Sequence, residues 1–295
     1  MNVRVADLLR QFDLERLEVN LFRGESRDIG SPQVYGGQVL GQALMAAYHT
    51  VEGLEVHSLH AYFLRRGDFD RPIVYQVDRS RDGHSISSRR VIAVQNGAQI
   101  FTCAASFQRR EPGLDHQSTM PEVPLPDSLP DWSRPSPEVA ARLPALLQRI
   151  LLRERPVEFR PVAPIDFMAR RPRPPIERVW LRIREPLGDD DRLHRALLAY
   201  MSDFNLLTAS TQPHQGSYEL AEMTMASIDH ALWFHRPFRA DQWLLYDIES
   251  PSASGARGFA RGSLYSADGR LVASVAQEGL IRVRARGNSG AQSSP

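Results

Sequence analysis

Apolar and polar positions along the chain fall into two similar series, each a helical pattern followed by alternating runs. Between residues 36 and 50, Val39, Leu40, Ala43, Leu44 and Ala47 recur at i, i+3, i+4 spacing, which predicts a helix with a buried face. Strand-like runs follow at 56–64, 73–77, 86–94 and 100–107. Asn96-Gly97 between the last two is a hairpin signal, because both residues accept the positive φ that a tight turn needs. In the second series, strand-like runs at 157–162 and 179–183 precede a helix that starts near Asp191. Further runs follow at 227–234, 244–250, 258–265 and 271–283, with Asp268-Gly269 as a second hairpin turn. Seven prolines between 111 and 137 exclude a helix or a central strand there. That stretch reads as a linker over the surface, followed by a short helix over 138–153.

The two series look like repeats of one unit. Gly83 and Gly255, Arg89 and Arg261, and the turn glycines Gly97 and Gly269 are each 172 residues apart. Ser58-Leu59-His60-Ala61 resembles Ser227-Ile228-Asp229-His230-Ala231, with the two histidines 170 apart. The expected architecture is two α+β units, each a sheet wrapped on a central helix. The boundaries are 1–110 for the first unit, 111–155 for the linker with its short helix, and 156–286 for the second unit. The small polar residues of 287–295 read as a disordered tail.

Composition narrows the function. Arg+Lys is 36 against 35 Asp+Glu, so the net charge of +1 argues against a dedicated nucleic-acid or polybasic membrane binder. All 36 basic residues are arginine, which removes Schiff-base, pyridoxal-anchoring and P-loop lysines. The single Cys103 rules out an intrachain disulfide. It shares strand parity with Phe101, Ala105 and Phe107 and reads as a small core residue. The first thirteen residues lack the apolar stretch of a signal peptide, no run is long enough to span a membrane, and the C-terminus carries no peroxisomal tripeptide. A soluble cytoplasmic protein is the expectation.

Nucleophile-elbow, zinc-protease, Cys-x-x-Cys and dinucleotide motifs are missing from the sequence. The anomalies are polar residues on apolar faces. Asp203 lies in the helical stripe Leu193, Ala196, Tyr200, Asp203, Leu207. Burial there would raise its pKa and suit it to general-base work, and a local capping role fits the spacing equally well. Gln277 shares a strand face with Ala273, Val275, Gly279 and Ile281, and its amide could hold a water or close a sheet edge. Ser227 opens the repeated Ser-Ile-Asp-His element and by itself says little. The position matching Gln277 in the first unit is Ala105, and the helix at 36–50 has no acidic residue. One working site and one degenerate site are therefore expected. Asp229 and His230 are neighbours in a strand and point to opposite faces, which argues against a His–carboxylate dyad.

Over about residues 21–282 the chain resembles the acyl-CoA thioesterase II family. The resemblance rests on Leu21-Phe22-Arg23-Gly24, Val34-Tyr35-Gly36-Gly37-Gln38 and Tyr62-Phe63-Leu64-Arg65 in the first unit. In the second it rests on Ser202-Asp203, Ile228-Asp229-His230, Trp233 to Phe238, and Ala276-Gln277-Glu278-Gly279. It implies a double hotdog of class α+β, with two antiparallel sheets each wrapped on a long central helix. It implies hydrolysis of fatty acyl-CoA to free fatty acid and CoA, in fatty-acid metabolism, with neither cofactor nor metal. The catalytic trio would be Asp203, Ser227 and Gln277, where many relatives carry Thr at the Ser227 position. Acyl-CoA is the expected partner, with CoA phosphates meeting arginines, and self-association is expected. A silent acyl-CoA-binding double hotdog and a hotdog hydratase or dehydratase are the rival readings.

Overall fold

In the computed structural model, which describes residues 4–30, 33–134, 137–142, 148, 155–163, 171–218 and 222–283, the strands join into one sheet. The first half begins with α1 (Val5–Phe12) and the short pair β1 (Glu15–Glu18) and β2 (Leu21–Gly24). Then come α2 (Gly36–Tyr48), β3 (Glu55–Phe63), β4 (Ile73–Asp82), β5 (Ile86–Gln95) and β6 (Ala98–Gln108). After a proline-rich crossing come α3 (Pro137–Arg142), β7 (Val157–Pro161), β8 (Ile176–Ile183) and α4 (Asp191–Ser202). The chain ends in β9 (Met223–Ser227), β10 (Asp229–Phe234), β11 (Leu244–Ser254), β12 (Arg257–Ser266) and β13 (Leu271–Val283). The helix expected over 138–153 is seen as α3. Apart from residue 148, its remainder lies outside the described residues, as does the tail 287–295.

The sequence predicts two sheets. The structure instead pairs β3 with β10 antiparallel, Ala61 opposite His230, and so makes one continuous 13-stranded sheet. The order is β1-β2-β4-β5-β6-β3-β10-β13-β12-β11-β8-β7, with β9 beside β13. Each half supplies an open edge with unpaired backbone groups, and pairing the two edges satisfies both. The period-2 burial of β5 and β13 shows which face meets the core.

Helices α2 and α4 pack on each other through missing side chains. A β-carbon on Gly37 would stand 2.3 Å from the Tyr200 carbonyl oxygen, and one on Gly41 would stand 2.8 Å from that of Ala196. Glycines one turn apart on α2 thus admit the backbone of α4 at a distance no larger residue allows. The N-terminus of α2 comes to rest beside the C-terminus of α4. The buried polar groups of α2 anchor the N-terminal segment. Gln42 donates to the carbonyls of Gln11 (2.7 Å) and Glu25 (2.9 Å) and accepts from the Tyr75 hydroxyl (2.6 Å).

Two sequence expectations need correction. Asp203 does not lie within a helix: α4 stops at Ser202, Asp203 is its C-cap, and Asn205 takes a left-handed φ of 61°. Asn tolerates that conformation better than other side-chain-bearing residues. Leu206–His214 then continues as a 3-10 segment. Nor do Arg89 and Arg261 correspond. Arg89 lies opposite Ala105, but Arg261 lies opposite Ala276, and Ala260 is the partner of Gln277. Both hairpins carry a register shift, at Ala93/Val94 and at Leu264/Tyr265, but β5–β6 closes with Gln95 opposite Ala98 whereas β12–β13 closes over a longer loop beyond Tyr265 and Leu271. A one-residue slip reverses the face. Arg89 is consequently buried at 2% exposure, whereas the Arg261 side chain is 61% exposed.

Candidate active site

Asp203, Ser227 and Gln277 come together. Gln277 Nε2 donates to Asp203 Oδ1 at 2.7 Å and lies 3.1 Å from Ser227 Oγ, which in turn donates to Asp203 Oδ1 at 3.4 Å. Each is placed by a different element. Asp203 is delivered by the end of α4. Gln277 points inward from β13 at 1% exposure. Ser227 is the last residue of β9, just before the strand breaks at Ile228. The sequence reads 227–234 as one run. The break occurs because Ile228 N–H bonds to the Glu278 carbonyl on β13 while the Ile228 carbonyl accepts from Phe63 N–H of the other half.

The first half contributes to the same site. The Gly37 N–H, in the first turn of α2, favours the ionised form of the Asp203 carboxylate. A β-carbon on Gly36 would stand 2.7 Å from Asp203 Oδ2. One carboxylate oxygen is thus held by Gln277 and Ser227, and the other faces the glycine-rich start of α2. Burial raises the Asp203 pKa to about 6, against the lowering effects of the Gln277, Gly37 and Ser227 hydrogen bonds. Its place at the negative end of α4 opposes ionisation, and the positive end of α2 favours it.

Ser227 and Gly36 both line a cavity of about 190 Å³ between the halves. Val34, Val39, Phe63, Ile100 and Phe101 give it apolar walls, and Arg65 and Arg66 stand at its edge. Arg65 donates to the Gln99 carbonyl at 2.6 Å. Arg66 is exposed and has no ion pair or hydrogen-bond partner among the described residues.

The corresponding place in the first half holds Arg89. Arg89 donates to Thr50 Oγ1 (2.8 Å) and the Thr50 carbonyl (2.9 Å) just past α2, and pairs with Asp82. A cation there complements the helix C-terminus. Where the second half holds a buried carboxylate, the first holds a guanidinium whose groups are all bonded. Cys103 is buried and its pKa is pushed up to about 12, so it stays a neutral thiol. Among the described residues, no group of three or more His, Cys, Asp or Glu could hold a metal ion. Among them, too, no helix is long and apolar enough to cross a membrane.

Sequence reasoning missed Gly36, Gly37 and His230. The glycines stand in the family motif Val34-Tyr35-Gly36-Gly37-Gln38, but nothing in the sequence gives them a role in the site, because their importance lies in the approach of α4. His230 left a signal: it shares the inward parity of Leu232 and Phe234.

Comparison with known proteins gives a consistent result. A profile described as acyl-CoA thioesterase matches residues 155–280, and one described as acyl-CoA thioesterase N-terminal domain matches residues 23–108. The chain is 43% identical to human acyl-coenzyme A thioesterase 8 over 281 residues, covering 92% of this chain and 88% of that one. It is 40% identical to acyl-CoA thioesterase 2 of Haemophilus influenzae over 277 residues, covering 94% and 97%. A crystal structure of an acyl-CoA thioesterase II from Mycobacterium marinum superposes with a TM-score of 0.77 at 42% identity, covering 94% and 99%. A hot-dog-fold protein from Alicyclobacillus acidocaldarius superposes at 0.75 with 18% identity, covering 94% and 98%, and shows the fold alone.

Proposed function

The chain belongs to the acyl-CoA thioesterase II family and is an acyl-CoA hydrolase, and from that premise we propose that it works by general-base activation of water on Asp203. The observation that carries the reading is the convergence of Gln277, Ser227 and Gly37 on one buried carboxylate with a pKa near 6. A base of that pKa is ionised at neutral pH and basic enough to take a proton from water.

The steps follow from the geometry. Gln277 and Ser227 hold Asp203 Oδ1, and Oδ2 faces the approach along Gly36. A water beside Asp203 and Ser227 gives its proton to the carboxylate, and its oxygen attacks the thioester carbonyl carbon. The carbonyl π pair moves to oxygen, then returns as the C–S bond breaks. The CoA thiolate takes the proton from Asp203, and the free fatty acid leaves. The developing oxyanion needs donors fixed in advance. Gln277 Nε2 is already occupied by Asp203, Ser227 and His230, so in this reading the oxyanion donor comes from the backbone at the glycine-rich start of α2.

Substrate placement belongs to the same reading. The apolar walls at Phe63 and Phe101 suit the acyl and pantetheine portions, and Arg65 and Arg66 suit the phosphates. The fold is read as a double hotdog whose halves each wrap a helix, 1–110 and 156–286. Self-association and a cytoplasmic location are part of this proposal.

A single-turnover reaction in H₂¹⁸O tests it. Direct attack by water places ¹⁸O in the released fatty acid. Label in the Asp203 carboxylate, from an acyl-aspartyl intermediate, overturns the general-base role.

A further inference from the structure

We propose that His230 is a positioning residue: it fixes the orientation of the Gln277 amide, so that the amide nitrogen and not the oxygen meets Asp203. The inference rests on the general-base reading above. It follows from a chain of bonds that is anchored at a backbone carbonyl and ends at the Asp203 carboxylate.

The chain starts at a backbone carbonyl, which can only accept. Ser202 Oγ donates its single proton to the Ala199 carbonyl at 3.0 Å. Ser202 Oγ also lies 2.9 Å from His230 Nε2, so it must accept there, and Nε2 must carry the proton. The imidazole is neutral, because full burial pushes its pKa down to about 3. Nδ1 is therefore a bare acceptor. It stands 3.2 Å from Gln277 Nε2, which donates to it. The other amide proton goes to Asp203 Oδ1 at 2.7 Å.

Reversing the amide would set its carbonyl oxygen against two acceptors, the carboxylate and Nδ1. Without His230 only the carboxylate and Ser227 would discourage the flip, and Ser227 can donate as readily as accept. A flipped amide sets its oxygen against Asp203, leaves Oδ1 held by Ser227 alone, and can itself compete for the water. His230 is unsuited to acid–base work. It is 1% exposed, its Nδ1 is 4.0 Å from Asp203 Oδ1, and the amide nitrogen lies close to both.

The test is a mutant cycle read by steady-state kinetics on an acyl-CoA: His230→Leu, Gln277→Ala, the double variant and His230→Asn, with Asp203→Asn alongside. Asn can present an acceptor oxygen near the Nδ1 position and so separates a lost bond from lost packing. His230→Leu should lower kcat by about 10- to 100-fold with KM changed less than about threefold, the size expected for a misplaced catalytic group. The double variant should be no worse than Gln277→Ala, and His230→Asn should recover most of the loss. Multiplying losses in the double variant, or a wild-type kcat in His230→Leu, overturns the proposal. So does a failed rescue in His230→Asn that melts at the wild-type temperature. A fully active Asp203→Asn would sink the general-base reading instead, which keeps the two failures apart.

Discussion

Gly36 of the first half lies so close to Asp203 of the second that a β-carbon on it would stand 2.7 Å from Oδ2. The site is thus built between the halves, and a methyl group should damage it without unfolding the chain. In Gly36→Ala the added carbon meets the carboxylate and the tip of the Phe63 ring at 3.0 Å, both side chains that can shift. Displacing the base by even part of an ångström predicts a kcat loss of about 10²-fold. Gly37→Ala should behave differently, since its β-carbon meets the Tyr200 backbone carbonyl at 2.3 Å and would force α2 and α4 apart. About 1–3 kcal/mol of stability should go with the activity. Thermal melts beside kinetics separate the two variants.

The raised pKa of Asp203 predicts the acid limb of activity. The carboxylate must be ionised to take a proton, so kcat should rise with pH and level off above an apparent pKa near 6. Gln277→Ala removes a hydrogen bond that favours the ionised form, and should move this limb upward. A limb near 4 in the wild type would mean that the titrating group is not this buried aspartate.

The same shift has a stability consequence of definite sign. The folded-state pKa, about 6, lies above the ordinary 3.8, so the folded protein holds this proton more tightly than the unfolded one. That contribution is complete below pH 3.8 and is lost as pH rises through 6. Asp203→Asn has no such dependence. Its unfolding free energy should increase relative to that of wild type, meaning a relatively more stable variant, by about 3 kcal/mol between pH 3.5 and 7.5, measured by urea titration at each pH. A constant difference across that range contradicts the buried-base assignment.

Arg66 lines the cavity and has no ion pair or hydrogen-bond partner among the described residues, and the proposed substrate brings phosphates. Arg66→Ala should raise KM for acyl-CoA about 5- to 20-fold, as expected for losing one charge-assisted contact. KM for the same acyl group on N-acetylcysteamine, which has no phosphate, should stay unchanged. Equal effects on both thioesters would place the phosphates elsewhere.

Much of the scaffold was legible in the sequence because its signals are local. Asn96-Gly97 and Gly269 do adopt the positive φ that their turns require, and Gln277 does face inward. The helical spacing of Val39, Leu40, Ala43, Leu44 and Ala47 matches α2. What the sequence could not show depends on tertiary approach. The edge pairing of β3 with β10, the closeness of Gly37 to Tyr200, and the break at Ile228 each need a partner from distant chain. The strands β1 and β2 went unseen because runs of four residues carry little periodicity, whereas α1 was overlooked although Val5, Leu8 and Phe12 have the spacing of a buried helical face. Asp203 was correctly marked as odd and wrongly set inside a helix, because its stripe continues through Leu207 although the backbone turns at Asn205. The role proposed for Ser227 rests on family resemblance, since a serine at a strand end carries no signal of its own.

Free-thiol release from acyl-CoAs of several chain lengths, with wild type beside Asp203→Asn, tests the central claim most directly. Cys103 is the only thiol in the chain, and its burial keeps the background low. Asp203 as the general base predicts release by wild type and a loss of at least about 10²-fold in the variant. Equal release by both would contradict the role of Asp203, and no release by wild type from any acyl-CoA, with binding intact, would contradict hydrolysis itself.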